Sequence, residues 1–299
     1  MKKFNMQNVF LWIKNDQKGG YKFRYVGNDP LINGYLGLQI ENSLMLGWDI
    51  SDIVVITNFE FEHMGVKSHV VNDICRWSSF ANKMVVVGEM ISNGVINDNF
   101  WLHDCDAYQL VPFVFPEKCL DVGFSRHAPG RNKPQGGSAF YRKSAFDIVH
   151  AVSEMIRAFR VQKEESFYPS LYDSACGLRA ASIYKSRFDE LKKRLESNKS
   201  DTKLEKAFES FKPKYEYSQK YFGKFAPRFT WLDWSYNLFR QRQFHKKYPV
   251  AEKPIRVVHF HPEYESCLNT FYHGKNRYNV KIVTPELSKL FVKYGLVKN

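Results

Sequence analysis

An α/β fold, with helices flanking a mixed central sheet and a further basic helical segment, is the architecture that the sequence predicts. Short apolar runs of strand length recur along the chain, and segments with helical features separate them. Strands that alternate with helices are typical of layered α/β proteins. With 299 residues, of which 44% are hydrophobic, the chain is long enough to bury a large core in one main domain.

The individual elements follow from local patterns. Apolar runs predict buried strands at residues 8–14, 53–57, either 85–87 or 101–102, and 255–261. Helical periodicity and end residues predict helices at 29–47, 145–159 and 285–294. In the first of these helices Pro30 lies near the start and Gly47 at the end, where each residue is favoured. Residues 115–137 contain three Pro and four Gly and are expected to be largely loop.

A basic helical insert is predicted at residues 178–250. From 178 to 221, Phe and Leu recur at helical spacing in a Lys-, Arg- and Glu-rich sequence, which predicts two helices joined near 198–201. Asp201 is a suitable cap for the second helix. The main domain is then expected to consist of residues 1–177 and 251–299.

The net charge of +13 indicates a polyanionic partner, either nucleic acid or an acidic membrane surface. Much of the excess lies at 181–250, which has 17 Lys and Arg against 8 Asp and Glu. Exposed helical faces with ion pairs such as Glu190 with Arg194 explain part of it. The cations Arg240, Arg242, Lys246 and Lys247 stand beside the aromatic residues Trp231, Trp234, Tyr236 and Phe239. Cations for phosphates and rings for stacking predict a nucleic-acid-binding surface there.

Other classes are disfavoured by what the sequence lacks. It has no run of 18 apolar residues and no hydrophobic stretch of the signal-peptide type near Met1, so a cytoplasmic protein without membrane insertion is expected. Its five cysteines are scattered and contain no Cys-x-x-Cys pair, which argues against a disulfide framework or a zinc ribbon.

The most informative local feature is the acidic pair Asp104 and Asp106, separated by Cys105. Such pairs also occur in solvated turns and as helix caps. This one follows a predicted strand, and open α/β sheets bind ligands at the carboxyl ends of their strands. Alternation along a strand would point both carboxylates to one side and Cys105 into the packing. The pair could then share one divalent cation that neutralises a diphosphate.

Four motifs in a fixed order resemble those of GT-A-type glycosyltransferases, particularly phage-encoded members that also share a segment similar to residues 57–67. These motifs are Asp104-Cys-Asp106-Ala-Tyr-Gln, Gly136-Gly137-Ser-Ala-Phe-Tyr-Arg-Lys-Ser, Lys163-Glu-Glu-Ser-Phe and Val257-Val-His259-Phe-His261-Pro. The resemblance covers residues 8–177 and 252–279. It implies a GT-A-like, Rossmann-like sheet and transfer of a sugar from a nucleotide-sugar donor, with a UDP-sugar expected.

The resemblance also implies a metal site. Asp104 and Asp106 would hold Mn²⁺ or Mg²⁺ against the donor diphosphate, and a histidine late in the chain would complete the coordination. We favour His259, although His261 lies on the same strand face and could also reach the ion. The Gly and Lys that usually follow this histidine are absent, and Lys275 is expected to supply the phosphate charge instead.

Further site residues follow from the same resemblance. Gly136 and Gly137 would let the backbone approach the sugar closely. Glu164 and Glu165 are candidates for the base of an inverting reaction, or for a carboxylate that steadies an oxocarbenium-like centre in a retaining one. The remaining expected contacts to the nucleoside or diphosphate are Lys14, Thr57 and Lys83.

The phage-type resemblance and the basic insert together predict an acceptor in duplex DNA, such as a hydroxymethylated pyrimidine, which an enzyme must unstack to modify. A transferase that acts on a lipopolysaccharide, a glycan or a protein is an alternative. A second alternative is a non-catalytic nucleic-acid-binding protein in which the acidic pair is structural. A nuclease is a third, although no further acidic cluster supports it. The oligomeric state is left open.

Overall fold

The computed structural model describes residues 4–14, 30–74, 79–128, 131–162, 174–198, 200–222, 229–239, 254–262, 265–274 and 281–297. Its strands are β1 (Gln7–Trp12), β2 (Ile53–Thr57), β3 (Glu62–His63), β4 (Val66–Val70), β5 (Phe100–His103), β6 (Ala107–Gln109), β7 (Val122–Ala128), β8 (Arg131–Tyr141), β9 (Phe229–Leu232), β10 (Leu238–Phe239) and β11 (Val257–His259). Its α-helices are α1 (Pro30–Leu46), α2 (Ser79–Ser92), α3 (Phe146–Gln162), α4 (Ser174–Ser197), α5 (Thr202–Phe222), α6 (Glu265–Cys267) and α7 (Pro285–Lys293).

The strands form two sheets. The larger has eight strands in the order β3-β4-β2-β1-β5-β8-β7-β9, and the smaller has the order β10-β11-β6. In the larger sheet β4, β2, β1 and β5 run parallel, while β8 lies antiparallel to both β5 and β7. The carboxyl ends of β1, β2 and β5 therefore lie at one edge of the sheet. The predicted mixed α/β architecture is confirmed.

Both faces of the larger sheet are buried, because successive residues of its strands contribute to two separate cores. Phe10 packs in a core with the apolar residues of α1 and α7, while its neighbour Val9 packs in a core with those of α2 and α3. The alternation of side chains along a strand explains this division. A strand that is covered on both faces therefore needs consecutive apolar residues.

Several elements confirm the local predictions. β1, β2 and α1 lie close to their predicted positions. The helix α1 ends at Leu46, directly before Gly47, whose φ is 92°. The two helices predicted between 178 and 221 are α4 and α5, and Asp201 caps the second. Its Oδ1 accepts hydrogen bonds from the backbone N–H groups of Lys203 and Leu204, each at 3.0 Å. Phe188 of α4 stacks on Tyr215 of α5, with ring centroids 4.0 Å apart.

Of the two alternatives for the strand before the acidic pair, residues 101–102 are confirmed, because they lie in β5. Residues 85–87 are the buried centre of α2, since a short apolar run fits a buried helix as well as a strand. One prediction was wrong. Residues 115–137, expected to be loop, contain β7 and the first part of β8. There, pairing of β8 with β5 on one side and β7 on the other overrides the local preference of Gly and Pro for turns.

The expected insert at 178–250 also has different limits. Its helical part is the hairpin of α4 and α5, which begins at Ser174 and ends at Phe222. The following strands belong to the sheets, because β9 pairs with β7 and β10 pairs with β11. None of the helices that the structure describes is both long enough and apolar enough to cross a bilayer.

Candidate metal centre

Asp104, Cys105 and Asp106 form the tight turn that joins β5 of the larger sheet to β6 of the smaller one. The backbone N–H of Ala107 donates to the carbonyl of Asp104 at 3.0 Å. The expectation that strand alternation orients the two carboxylates was therefore wrong. A turn brings them together instead, and it does so directly after β5, at the carboxyl edge of the parallel strands.

Four hydrogen bonds from three other elements hold this turn. The N–H of Asp104 donates to the carbonyl of Gly137 at 3.0 Å, and the N–H of Phe260 donates to the carbonyl of Asp106 at 3.0 Å. The side-chain amide of Gln39, on α1, donates to the carbonyls of Cys105 at 2.7 Å and Ala107 at 3.1 Å. Cys105 is buried, as expected. These hydrogen bonds hold the backbone from which both carboxylates extend.

Asp104, Asp106 and His259 form a cluster whose candidate ligand atoms all lie within 4.8 Å of one another. His259 Nε2 is 3.1 Å from Asp106 Oδ1 and 3.9 Å from Asp104 Oδ2. His261 Nε2 approaches the other oxygen of Asp106 at 3.1 Å. The strand predicted at 255–261 ends at His259, so His261 reaches Asp106 from the segment after β11 and not from a shared strand face. Carboxylate oxygens with an imidazole nitrogen are a donor set that suits Mn²⁺ and related divalent ions.

The pKa values of the cluster follow from burial and mutual charge. Burial alone would raise the pKa of Asp106, but the charges of His259 and His261 and the hydrogen bond from His259 outweigh it and lower that pKa. Burial would lower the pKa of His259, but Asp106 and then Asp104 outweigh it and raise that pKa. Asp106 is therefore a carboxylate at neutral pH, as a metal ligand must be.

Gly137 is required by the position of His259. A Cβ atom built on Gly137 would lie 2.0 Å from His259 Cε1 and 2.2 Å from its Nδ1, far inside contact distance. The pairing of β8 with β7 jumps from Phe124–Ala139 to Ser125–Gln135, so Gly136, Gly137 and Ser138 form a bulge. Gly137 thus gives room to an imidazole. The expected approach of Gly136 and Gly137 to a sugar stays a prediction.

Lys83, on α2, lies beside the acidic pair, and its expected contact with a donor diphosphate stays a prediction. Its ammonium forms an ion pair with Asp104 Oδ1 and donates to the carbonyl of Gly136 at 3.0 Å. The side chains of Lys83 and Asp104 are 21% and 34% exposed, against 13% for Asp106. The cluster therefore meets solvent on the side of Asp104 and Lys83.

Sequence reasoning missed His103 and Gln39, which support the turn. His103 is fully buried, its Nδ1 lies 2.9 Å from the carbonyl of Asp104, and its Nε2 lies 2.8 Å from the Asn8 amide oxygen. Burial lowers the pKa of His103 to about 3, so the ring is neutral. Asn8 and His103 are polar residues within otherwise apolar strands, and this pattern could have identified them.

Lys14 and Thr57 lie at the same edge of the sheet. Thr57 ends β2 and hydrogen-bonds through its hydroxyl to the carbonyl of Phe59. Lys14 follows β1, exchanges two 2.8 Å hydrogen bonds with Asn58 through its backbone, and holds its ammonium 3.8 Å from the centre of the Phe59 ring. β2 is two strands from β5, about 10 Å at the usual strand spacing. The expected contacts of both residues with a donor are still predictions.

Seven predicted residues fall outside the described part of the chain. They are Glu164, Glu165, Arg240, Arg242, Lys246, Lys247 and Lys275.

No protein-family model and no curated protein matches this sequence. Among solved structures, the chain is similar to a glycosyltransferase involved in glycosylation of the major capsid of PBCV-1, with 10% identity, a TM-score of 0.41 and coverage of 85% of this chain and 92% of that one. It is also similar to the galactosyltransferase LgtC in complex with donor and acceptor sugar analogues, with 10% identity, a TM-score of 0.44 and coverage of 98% and 97%. Both TM-scores are below 0.5, so the function proposed below rests on the residues of the site.

Proposed function

We propose that this chain is a metal-dependent glycosyltransferase that moves a sugar from a nucleotide-sugar donor, with a UDP-sugar expected, to a hydroxyl acceptor. The observation that carries the proposal is the cluster of Asp104, Asp106 and His259 at the carboxyl ends of the parallel strands. Open α/β sheets bind nucleotides at this edge. A metal held there would face the phosphates of a nucleotide placed across β1 and β2.

The residues present suit a divalent ion. Two carboxylates and one imidazole converge, and the imidazole is seated where Gly137 leaves room for it. Asp104, Asp106 and His259 would hold the ion. When bound, Mn²⁺ or Mg²⁺ would supply Lewis-acid stabilisation of the departing nucleoside diphosphate. The fixed turn limits the reorganisation that the carboxylates need, which favours binding.

The chain's other residues would bind the donor and move a proton. Lys14, Thr57 and Lys83 lie at the edge where the nucleoside and diphosphate would bind, and Lys275 would add a phosphate contact. The bond between the sugar's anomeric carbon and the diphosphate oxygen breaks, and the acceptor oxygen bonds to that carbon. In an inverting reaction Glu164 or Glu165 would take the acceptor's proton. In a retaining reaction one of these residues would stabilise the positive charge on the sugar, and the acceptor's proton would pass to an oxygen of the departing diphosphate.

We further propose duplex DNA carrying a hydroxymethylated pyrimidine as the acceptor, and a phage as the setting. The net charge of +13 supports a polyanionic acceptor, as do the clustered cations Arg240, Arg242, Lys246 and Lys247. A lipopolysaccharide, glycan or protein acceptor is the alternative. Binding to duplex DNA that weakens steeply as salt rises would support DNA, whereas weak binding that is flat across salt concentrations would refute it.

The proposal is tested by release of nucleoside diphosphate. The protein is incubated with a panel of nucleotide sugars and Mn²⁺, and then with EDTA in place of the metal. We expect release from one sugar class, its loss in EDTA and its loss in Asp106→Asn. Asp73→Asn, which removes an acidic group that pairs with Arg157 at 3.5 Å outside the cluster, should retain it. DNA binding without release from any sugar would instead favour a non-catalytic nucleic-acid-binding protein.

A further inference from the structure

The two carboxylates of the cluster formed by Asp104, Asp106 and His259 have different cationic partners. Asp106 is matched by His259 and His261, which approach its two oxygens at 3.1 Å each. Asp104 is matched by Lys83, whose ammonium contacts Asp104 Oδ1. In the structure, a lysine ammonium therefore holds one of the three groups that would bind the metal.

The ammonium of Lys83 and a divalent ion cannot both occupy this position without strong repulsion. The ion would sit among Asp104, Asp106 and His259, whose ligand atoms span at most 4.8 Å, so it would lie within a few ångströms of Nζ. Lys83 also donates a hydrogen bond to the carbonyl of Gly136 at 3.0 Å. Its side chain is partly exposed and has a flexible four-carbon stem, so the ammonium can move.

We propose that Lys83 is a tethered competitor of the metal, which neutralises Asp104 until the ion binds and then transfers its charge to the donor diphosphate. The second half of this inference rests on the proposed function. The consequence is coupling: metal alone binds weakly because it must displace Lys83, and metal with a diphosphate binds more tightly because the displaced ammonium gains a partner. By linkage, the metal must strengthen diphosphate binding by the same factor.

A purely structural role is the competing explanation. Lys83 would then hold the β8 bulge through Gly136, and its ion pair with Asp104 would be incidental, since partly exposed pairs contribute little to stability. The two explanations predict opposite effects on metal binding when Lys83 is removed. If Lys83 competes with the metal, its removal tightens metal binding. If Lys83 supports the β8 bulge, its removal loosens the position of His259 and weakens metal binding.

The test is calorimetric titration of Mn²⁺ into the wild type and Lys83→Met, each with and without UDP. We expect Lys83→Met to bind Mn²⁺ alone about tenfold more tightly, which is ~1.4 kcal/mol. UDP should tighten Mn²⁺ binding in the wild type by a larger factor than in the variant. The charge-retaining Lys83→Arg should stay as weak as the wild type. Lys67→Met, which loses a cation 3.6 Å from Glu62 on the edge hairpin, controls for net charge and should not change.

Equal or weaker Mn²⁺ binding by Lys83→Met would overturn the competition and favour the structural role. An equal effect of UDP on both proteins would overturn the transfer to diphosphate. Absence of Mn²⁺ binding in every protein would overturn the proposed metal-dependent function as well, and so differs from failure of the Lys83 inference alone. If Lys83→Met does not fold, NMR of ¹³C-methylated lysines in the wild type replaces it. The Lys83 signal should shift when Mg²⁺ is added, and an unchanged signal in the Mg²⁺-bound protein would refute the proposal.

Discussion

Gly137→Ala is the substitution that most directly tests whether His259 belongs to a metal site. The new methyl group would start 2.0 Å from His259 Cε1, 2.2 Å from Nδ1 and 3.0 Å from Nε2. Carbon atoms in contact need about 3.5 Å. The imidazole must therefore move by about 1.5 Å, or the β8 bulge must open by the same distance.

The size of the effect follows from that displacement. A shift of about 1.5 Å away from Gly137 breaks the 3.1 Å contact between His259 and Asp106 or turns the imidazole nitrogen away from the cluster. Overpacking of a fitted site costs about 1–3 kcal/mol of stability. Disturbing the groups that position a metal ligand weakens metal binding by about 10-fold to 100-fold. We expect both effects in Gly137→Ala.

The assay is Mn²⁺ titration together with urea unfolding, with Gly123→Ala as the matched control. A Cβ at Gly123 would lie 2.8 Å from both Cys119 Sγ and a Leu232 methyl carbon, so this variant overpacks β7 without touching the cluster. It should lose stability and keep its Mn²⁺ affinity. If Gly137→Ala binds Mn²⁺ as the wild type does, or if Gly123→Ala loses the ion equally, His259 is not seated by Gly137 for metal binding.

Three further predictions concern the elements around the site. Gln39→Leu removes the hydrogen bonds to the Cys105 and Ala107 carbonyls and should weaken Mn²⁺ binding about tenfold, as measured by titration. Unchanged Mn²⁺ binding would show that the turn is held without these two hydrogen bonds. Asp201→Ala removes the cap of α5 and should cost about 1 kcal/mol in urea unfolding, whereas Asp201→Asn, which can still cap, should cost less. Burial raises the pKa of Glu41, but hydrogen bonds from Lys293 and Tyr294 outweigh burial and hold that pKa below 4.5. Ionised Glu41 therefore stabilises the folded state above about pH 4.5, and this stabilisation is lost as pH falls through the pKa of the folded protein. Urea unfolding between pH 7 and pH 3 should therefore show a smaller acid loss in Glu41→Gln than in the wild type, and equal losses would refute the assignment.

The sequence was sufficient to predict those parts of the fold that depend on residues close together in the chain. The ends of α1 at Pro30 and Gly47 and the cap of α5 at Asp201 are set by backbone geometry and hydrogen bonds within a few residues. It was insufficient for β8, where Gly136 and Gly137 have the local chemistry of a turn but form a bulge between two partner strands. Pairing between strands distant in sequence decides that difference, and a single sequence does not encode it locally.

The same limit applies to the site. The spacing of Asp104 and Asp106, the predicted strand before them and the family resemblance singled out the pair, but the predicted reason for their convergence, alternation along a strand, was replaced by a turn. His259 meets them because β11 lies antiparallel to β6, with His259 opposite Ala107. Gln39 was missed because its contacts are to backbone carbonyls of a segment 66 residues away.

The cluster also lies at a junction between the two sheets, where β5 of the larger sheet leads into β6 of the smaller one. Asp104 is tied to the larger sheet through Gly137 of β8, whereas Asp106 is tied through Phe260 to the chain that leaves β11 of the smaller sheet. An ion bound by Asp104, Asp106 and His259 would therefore bridge the sheets as well as the carboxylates. Because a ligand stabilises only the states that bind it, Mn²⁺ should raise the free energy of unfolding of the domain as a whole. Saturating Mn²⁺ should then slow hydrogen exchange in β8 and in β6 together, and protection of one sheet without the other would show that the ion contacts a single side of the cluster.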